Sequence, residues 1–584
     1  MRAPRLSGLR KSDRLSLRLS SSPRPSFSTI STTKRARRFS LRAAWRHLSD
    51  QNLFVEKALK NNKKIEQIAI LCHSGAGVQD SGLFMSDLGY QWLIHEFDLP
   101  PHPLPVVSKL GTRLRETWSG DGSVQREYPA HYQPADSLAG HLEFALKHEG
   151  VNLAVLGDLF RASGPVLVEK AVAAKPTGRY RRQMGFFYEL LTGEHLDESL
   201  KVGGNYEPAL DPARYLVAPD PILDRRWRIR DNLLGNGLFC PIVRRTERLE
   251  AALAEPLGEE LAGLLADYPP EMFQRVNDYL YLKETRSTFD IEHEPMPESN
   301  RLLRFVALLR EAGRRPEADL LDEEKLTERQ NLIVDPRYAV TGYRESQNYV
   351  GEQRPDFTQR IHYVCPAPDW VAGMMDGLSV SLERSAGLPV LGRAAVVSFG
   401  FVFIHPFEDG NGRLHRFLIH DLLQRGRFGE RDLMLPVSAT MLRRMAEYDA
   451  ALERFSRPLM NGRVDYDLGR EGHMTMRNPQ QVENYYRYPD LTAQSEYLAE
   501  TVAITVREDV VEELGFLRAY DAARAAVREV VDMPDRRLDL LLRLLHSNGG
   551  RLSNKKRGRF EELTSPEITQ IESAFRSAFG LDRA

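Results

Sequence analysis

The chain has 584 residues, 42% hydrophobic and 28% charged, with 80 Lys and Arg against 81 Asp and Glu for a net charge of −1. That composition fits three or four globular domains and gives no global pull towards nucleic acid or an anionic membrane. No apolar run approaches the roughly 18 residues needed to cross a bilayer, and three scattered cysteines (Cys72, Cys240, Cys365) without a CxxC pair argue against a disulfide framework or zinc site and fit a reducing, cytoplasmic setting.

The first 50 residues stand apart, with 13 Lys and Arg, two acids (Asp13, Asp50) and 11 Ser. Such a segment is too polar to bury a core, so residues 1–84 read as a disordered leader. Its composition also suits an organelle transit segment or a nucleic-acid-binding arm, and a true start at Met85 is the favoured alternative. Residues 85–245 mix turn-rich stretches with amphipathic helices, among them Leu138 to His148 and Arg182 to Leu191. The local patch Arg179 to Arg182 (RYRR) reads as a solvated helix face rather than a nucleic-acid contact.

Residues 246–480 carry the chemistry. Asp278 to Glu294 (DYLYLKETRSTFDIEHE) predicts a helix. Between Gly342 and Pro368, Tyr349 and Val350 and then Ile361, Tyr363 and Val364 predict two short strands around a long polar loop. Trp370, Met374, Met375 and Leu378 are expected core positions of the next helix. After Pro389, the apolar run Ala394 to Ile404 suits a buried helix, and Pro406 ends it at His405. There follows H-P-F-E-D-G-N-G-R-L-H-R, His405 to Arg416. Gly410, Asn411 and Gly412 form a turn whose N–H groups can converge on one anion. The turn opens onto an amphipathic helix over Arg413 to Gln424, whose N-terminus favours phosphate. Arg413 and Arg416, three apart, share a helix face and can reach one phosphate tail. Asp409 can offer Mg²⁺ an oxygen, and His405 is a candidate general base.

The run matches every specified position of HPFx[DE]GNGRxxR, the signature of the Fic (Fido) family, which it resembles. The resemblance implies a helical core, ATP and Mg²⁺ as cofactors, and transfer of AMP to a Ser, Thr or Tyr hydroxyl of a target protein. It further implies His405 as base, Phe407 as the packing residue of the loop and Asp409 as metal ligand. Gly410, Asn411 and Gly412 would cradle the α- and β-phosphates, with Arg413 and Arg416 on the β- and γ-phosphates. The related phosphotransferase branch has Lys where Gly412 stands, so that chemistry is disfavoured. The strand pair resembles the Fic flap, with Tyr349, Val350, Ile361 and Tyr363 docking the target by strand addition. Thr288 to His293 (TFDIEH) resembles the inhibitory pattern [ST]xxxE[GN], with Thr288 at its first position, implying that Glu292 pairs with Arg416. His293 departs from that pattern and puts the clamp in doubt. The same site could instead remove AMP, with Glu292 positioning water.

Residues 481–584 predict a helical module. Val502 to Val531 reads as an exposed helix, and Leu538 to Phe579 weakly resembles a winged helix, with Lys555, Lys556, Arg557 and Arg559 facing DNA in one reading. A nucleotide-sensing DNA- or partner-binding regulator is therefore the alternative to the enzyme. The family resemblance leaves a homodimer open. The expected fold class is mainly α: a Fic-like core with a hairpin flap, an N-terminal α+β extension and the C-terminal helical module.

Overall fold

Helices dominate the computed structural model, which describes residues 86–119, 123–266, 268–294, 299–355, 358–429, 433–469 and 472–581. The leader, Met85 and Cys72 lie outside the described residues. No described helix is long and apolar enough to cross a membrane.

A four-stranded sheet opens the described chain: β1 (Asp87–Leu88), β2 (Val106–Leu110), β3 (Arg115–Trp118) and β4 (Val124–Tyr128), in the order β1-β2-β4-β3. Only β2 and β4 run parallel. Around it lie α1 (Gly89–Glu96), α2 (Leu138–Phe144), α3 (Leu153–Ala174) and α4 (Arg179–Thr192). Gly164 (φ 67°) breaks α3 just before Pro165. The RYRR patch is structural rather than solvated. Arg182 is 2% exposed and donates to the Asn205 and Arg228 carbonyls, and Arg181 pairs with Glu143.

The central helices are α5 (Glu247–Ala254), α6 (Leu257–Ala266), α7 (Pro270–Ile291), α8 (Ser299–Arg310), α9 (Glu323–Ile333), α10 (Pro368–Arg384), α11 (Val390–Ile404), α12 (Asn411–Arg425), α13 (Val437–Arg443), α14 (Met445–Met460), α15 (Pro479–Arg487) and α16 (Thr492–Ile504). Residues 391, 392 and 394–404 of α11 are buried on every side, as an apolar run without a polar face requires. Helix α12 wraps the core beside it. The flap is a hairpin of β5 (Tyr349–Gln353) and β6 (Gln359–Val364), with a register shift at Val350/Gly351. Its strands extend into polar sequence, so the connection is far shorter than the sequence suggests. Main-chain pairing, rather than side-chain pattern, carries them there.

Hydrophobic packing runs across residue 480. Val482, Tyr486, Leu498, Val502, Val506, Val510 and Leu514 all join the central core. The expected exposed helix over Val502 to Val531 is thus a half-buried one: α16 continues through a π-helical turn (Thr505–Val510) into α17 (Val511–Val530). A separate cluster begins at Ala523 and includes Leu538, Leu542, Phe560, Ile571 and Phe575. It is built on α17, α18 (Asp535–His546), a single turn at Asn554–Arg557 and α19 (Ser565–Ala578), the last opened by a capping box from Thr564 and Glu567. Among the described residues this segment contains no strand, so the winged-helix resemblance lacks its wing there.

Candidate active site

The loop between α11 and α12 is six residues long, His405 to Gly410, because Asn411 and Gly412 already belong to the first turn of α12. Expecting the helix at Arg413 underestimated it: glycine is poor within a helix but acceptable in the first turn, where the amides have no intrahelical partner anyway. His405 closes α11 in a left-handed conformation (φ 54°, ψ 59°), not the extended one favoured before proline. A non-glycine residue there costs roughly 1–2 kcal/mol, so the surroundings must hold it.

Arg344 holds it. This buried residue donates from its Nε to the His405 carbonyl at 2.8 Å, from its side-chain nitrogens to the Ser346 (2.9 Å) and Pro366 (2.6 Å) carbonyls, and from its own N–H to the Pro406 carbonyl at 2.8 Å. One guanidinium therefore ties the loop to both stems of the flap. Phe407 is fully buried, against the Tyr343 ring. The Asn411 side chain pins the loop by accepting from the Phe407 N–H (3.0 Å) and donating to the Phe407 carbonyl (2.7 Å).

The His405 ring is half-buried. Its Nδ1 lies 3.2 Å from the Val402 carbonyl. A carbonyl only accepts, so Nδ1 carries the proton and Nε2 keeps the lone pair. Burial, then the Arg344 cation, push the imidazole down to about 4. It is a neutral base at physiological pH.

Helix α7 faces α12 in two antiparallel rows of every fourth residue. Glu284, Thr288 and Glu292 oppose His420, Arg416 and Gly412. The His420 Nε2 donates to Glu284 at 2.6 Å, deep in the core, and Glu284 also accepts from Ser438. Arg416 donates to the Thr288 hydroxyl, to its carbonyl (3.0 Å) and to Glu292 Oε1 (2.6 Å). Burial works against the Arg416 charge, but Glu292, together with Tyr448 and Glu284, more than offsets it and raises the guanidinium above its ordinary range. A Cβ placed on Gly412 would collide with the Glu292 carboxylate. That carboxylate thus covers the N-terminus of α12, where an anion would sit.

Helix α7 ends at Ile291, so Glu292 is its C-cap and His293 takes a left-handed conformation (φ 54°). His293 N–H donates to the Asp290 carbonyl (3.1 Å) and Glu294 N–H to the Phe289 carbonyl (3.3 Å). These are the two bonds of a Schellman motif. The position where the inhibitory pattern has Gly or Asn is the left-handed one, which explains the preference physically. His293 occupies it with its side chain exposed, so it does not disrupt the packing of α7.

The remaining expected residues are not all placed alike. Asp409 is 55% exposed at the side chain and accepts from the Gly410 N–H (2.6 Å) and from Arg413 (2.9 Å). The Gly410 amide is therefore already engaged. Arg413, 1% exposed, also pairs with Glu294 at 2.8 Å. Among the flap residues Val350 is exposed, while Tyr349 and Ile361 are half-buried. The Tyr363 side chain is a core group and no docking contact: it is 6% exposed and its hydroxyl donates to the Phe403 carbonyl at 2.5 Å. Tyr485, Tyr486 and Tyr488 pack and bond to the Phe455, Val364 and Gly237 carbonyls. Among the described residues no three His, Cys, Asp or Glu side chains converge on a metal site. Sequence reasoning missed Arg344, Glu284, His420 and Glu294. The fourfold spacing of Glu284 before Thr288 and Glu292 was the available signal for Glu284, and that of His420 after Gly412 and Arg416 the signal for His420.

Residues 320–423 match the Fic/DOC family, and the chain carries a Fic/DOC domain there. It is 34% identical over 113 residues to Protein adenylyltransferase fic-1 of Caenorhabditis briggsae and 35% identical over 85 residues to Protein adenylyltransferase Fic of Drosophila virilis. These matches cover 19% and 14% of this chain, and the chain spans only 18% and 16% of those relatives. Similar solved structures include a Fic family protein from Desulfovibrio desulfuricans (18% identity, TM-score 0.33, 57% of this chain and 87% of that one) and Fic-1 residues 134–508 from C. elegans (19% identity, TM-score 0.29, 46% and 71%).

Proposed function

We propose that the chain transfers AMP from Mg²⁺-ATP to a Ser, Thr or Tyr hydroxyl of a target protein, releasing pyrophosphate, and that Glu292 holds the enzyme inhibited. The supporting observation is the neutral His405, its Nε2 lone pair available, beside a helix N-terminus and two buried arginines whose anion seat is filled by a carboxylate.

In this reading the Glu292 carboxylate leaves Arg416, and the triphosphate takes its place against the α12 N-terminus, Arg413 and Arg416. His405 Nε2 accepts the proton of the target hydroxyl. The hydroxyl oxygen forms a bond to the α-phosphorus, and the bond from that phosphorus to the β-phosphate bridging oxygen breaks, its electron pair leaving on pyrophosphate. The two arginines stabilise that leaving charge. Asp409 fits a Mg²⁺ ligand, since it is an exposed carboxylate beside the phosphate seat and Mg²⁺ takes one or two carboxylates, with phosphate and water completing its shell. When bound, the ion would neutralise charge on the phosphates. The flap would present the target's main chain along the hairpin edge.

Incubation with α-labelled ATP tests this. Label should appear on protein with the Glu292→Gly chain and fall by about 10²–10⁴-fold with His405→Ala added, the usual contribution of a general base. ATP binding without label in any variant, candidate targets included, would instead support a nucleotide sensor.

A further inference from the structure

The Schellman turn that ends α7 delivers two carboxylates, not one. Glu292 reaches Arg416, and two residues on, beyond the left-handed His293, Glu294 reaches Arg413. Its Oε1 lies 2.8 Å from Arg413 Nη1, and its Oε2 lies 2.8 Å from Arg301 Nη1 on α8. Arg301 and Arg413 share two further partners. Both stand over the Phe289 ring, at 5.1 and 5.4 Å, and both approach the Ile333 carbonyl, Arg301 Nε at 2.6 Å and Arg413 Nη1 at 3.5 Å. Two guanidiniums are thus held side by side by a carboxylate, a carbonyl and a π face.

Remove the carboxylate and the arrangement is unbalanced. Like charges a few ångströms apart in a half-dry site repel; Asp409, 2.9 Å from Arg413 Nη2, offsets one of the two cations, and the carbonyl dipole and ring quadrupole do not neutralise the other. The cations cannot leave easily: Arg413 is 1% and Arg301 17% exposed at the side chain. Glu294, at 23%, sits two residues beyond the C-cap of α7, nearer solvent. Among the described residues, Arg413 Nε and Arg416 Nη1 are buried without a hydrogen-bond partner, so the cluster has donors to spare. The seat is built for an anion with several oxygens, and a carboxylate of this chain occupies it.

Building on the function proposed above, we propose that Arg301 is a third guanidinium for the polyphosphate tail of the nucleotide, and that Glu294 is a second inhibitory carboxylate, occupying the Arg301–Arg413 seat as Glu292 occupies Arg416. The site accordingly distinguishes nucleoside triphosphate from monophosphate by three arginines. Release needs both glutamates to swing out, which the turn after Ile291 allows without breaking the Glu284–His420 contact that anchors α7 on α12.

The test is calorimetric titration of the full chain with Mg²⁺-ATP and, separately, with AMP. In the Glu292→Gly background, adding Glu294→Gln should tighten ATP about tenfold, the scale of one charge-assisted hydrogen bond, and leave AMP unchanged. Adding Arg301→Gln to that pair should weaken ATP again by about tenfold and AMP hardly at all, with Arg301→Lys restoring part of the loss. Thermal melts identify any variant that fails to fold, and Arg301→Lys then carries the comparison. If Glu294→Gln leaves ATP affinity unchanged, or Arg301→Gln weakens AMP as much as ATP, the inference falls while the role of Glu292 stands. If no variant binds ATP, the nucleotide site itself is refuted.

Discussion

Replacing Glu292 by Gly removes the one carboxylate that both pairs with Arg416 and covers the α12 N-terminus. The pair is 2.6 Å long, with a guanidinium 2% exposed and a carboxylate 33% exposed at the side chain. A hydrogen bond to a charged group contributes about 1.5–3 kcal/mol, and partial exposure of Glu292 argues for the lower half of that range. ATP must displace this contact to reach Arg416, so its removal should tighten ATP by roughly 10- to 50-fold at 1.4 kcal/mol per tenfold. Repulsion between the carboxylate and the triphosphate acts in the same direction. Initial rates of α-label incorporation at sub-saturating ATP should rise in proportion. Glu292→Gln keeps a hydrogen-bond acceptor without the charge and should fall between. A change below twofold in both affinity and labelling, with Tm unaltered, would refute the clamp.

Four further outcomes follow from the geometry. With the His405 imidazole pushed down to about 4, the base stays unprotonated well below pH 6.5, so labelling by the Glu292→Gly chain should be flat between pH 5.5 and 8; an acid limb centred near 6.5 would contradict the assignment. His415, buried with Nδ1 on the Ser398 carbonyl, is likewise depressed, to about 3. Unfolded histidine takes its proton near 6.5 and these two refuse it until much lower, so stability should decline as pH falls from 6.5 towards 4, by up to about 1.4 kcal/mol per unit and per histidine, measured by denaturant midpoints at pH 7.5 and 5.5. His293→Gly relieves a left-handed residue at a cost in unfolded-chain entropy, and should raise stability by up to about 1 kcal/mol and lower basal labelling by firming the turn that carries both glutamates; a loss of stability would count against the Schellman reading. Arg344→Gln strands three carbonyls and should cost about 2–4 kcal/mol, seen as a lower Tm and faster proteolysis within residues 344–366.

The two helices flanking the motif were legible because a continuous apolar run and a 3.6-residue stripe each admit one burial, and the glycines between them mark the turn. The motif's content followed from residue types: His405 as a base candidate at the helix end, and Arg413 and Arg416, three apart, on one helix face. The hairpin was legible at its β-branched and aromatic ends, but not along Gly351 to Gln353, where pairing rather than side chains makes the strand. Glu292 was reached through the resemblance to the inhibitory pattern, since nothing local to Asp278–Glu294 names its partner. Arg344 could not be read as the residue that fixes His405: its partners lie 2, 22 and 61 positions away, and a lone arginine in a polar stretch looks solvated.

Local pieces were set along the chain: a buried helix, a turn rich in glycine, a cationic helix face and a carboxylate-bearing helix upstream. Those follow from short-range sterics and periodicity, which operate within a dozen residues. What each charge faces was settled by the folded packing. Arg416 meets Glu292 across 124 positions of sequence, and Arg413 and Arg301 meet over one ring and one carboxylate, because packing of α7, α8, α9 and α12 around a common core brings them there. Charge pairing is a property of distance in space, and no spacing along the chain encodes it until the core has closed.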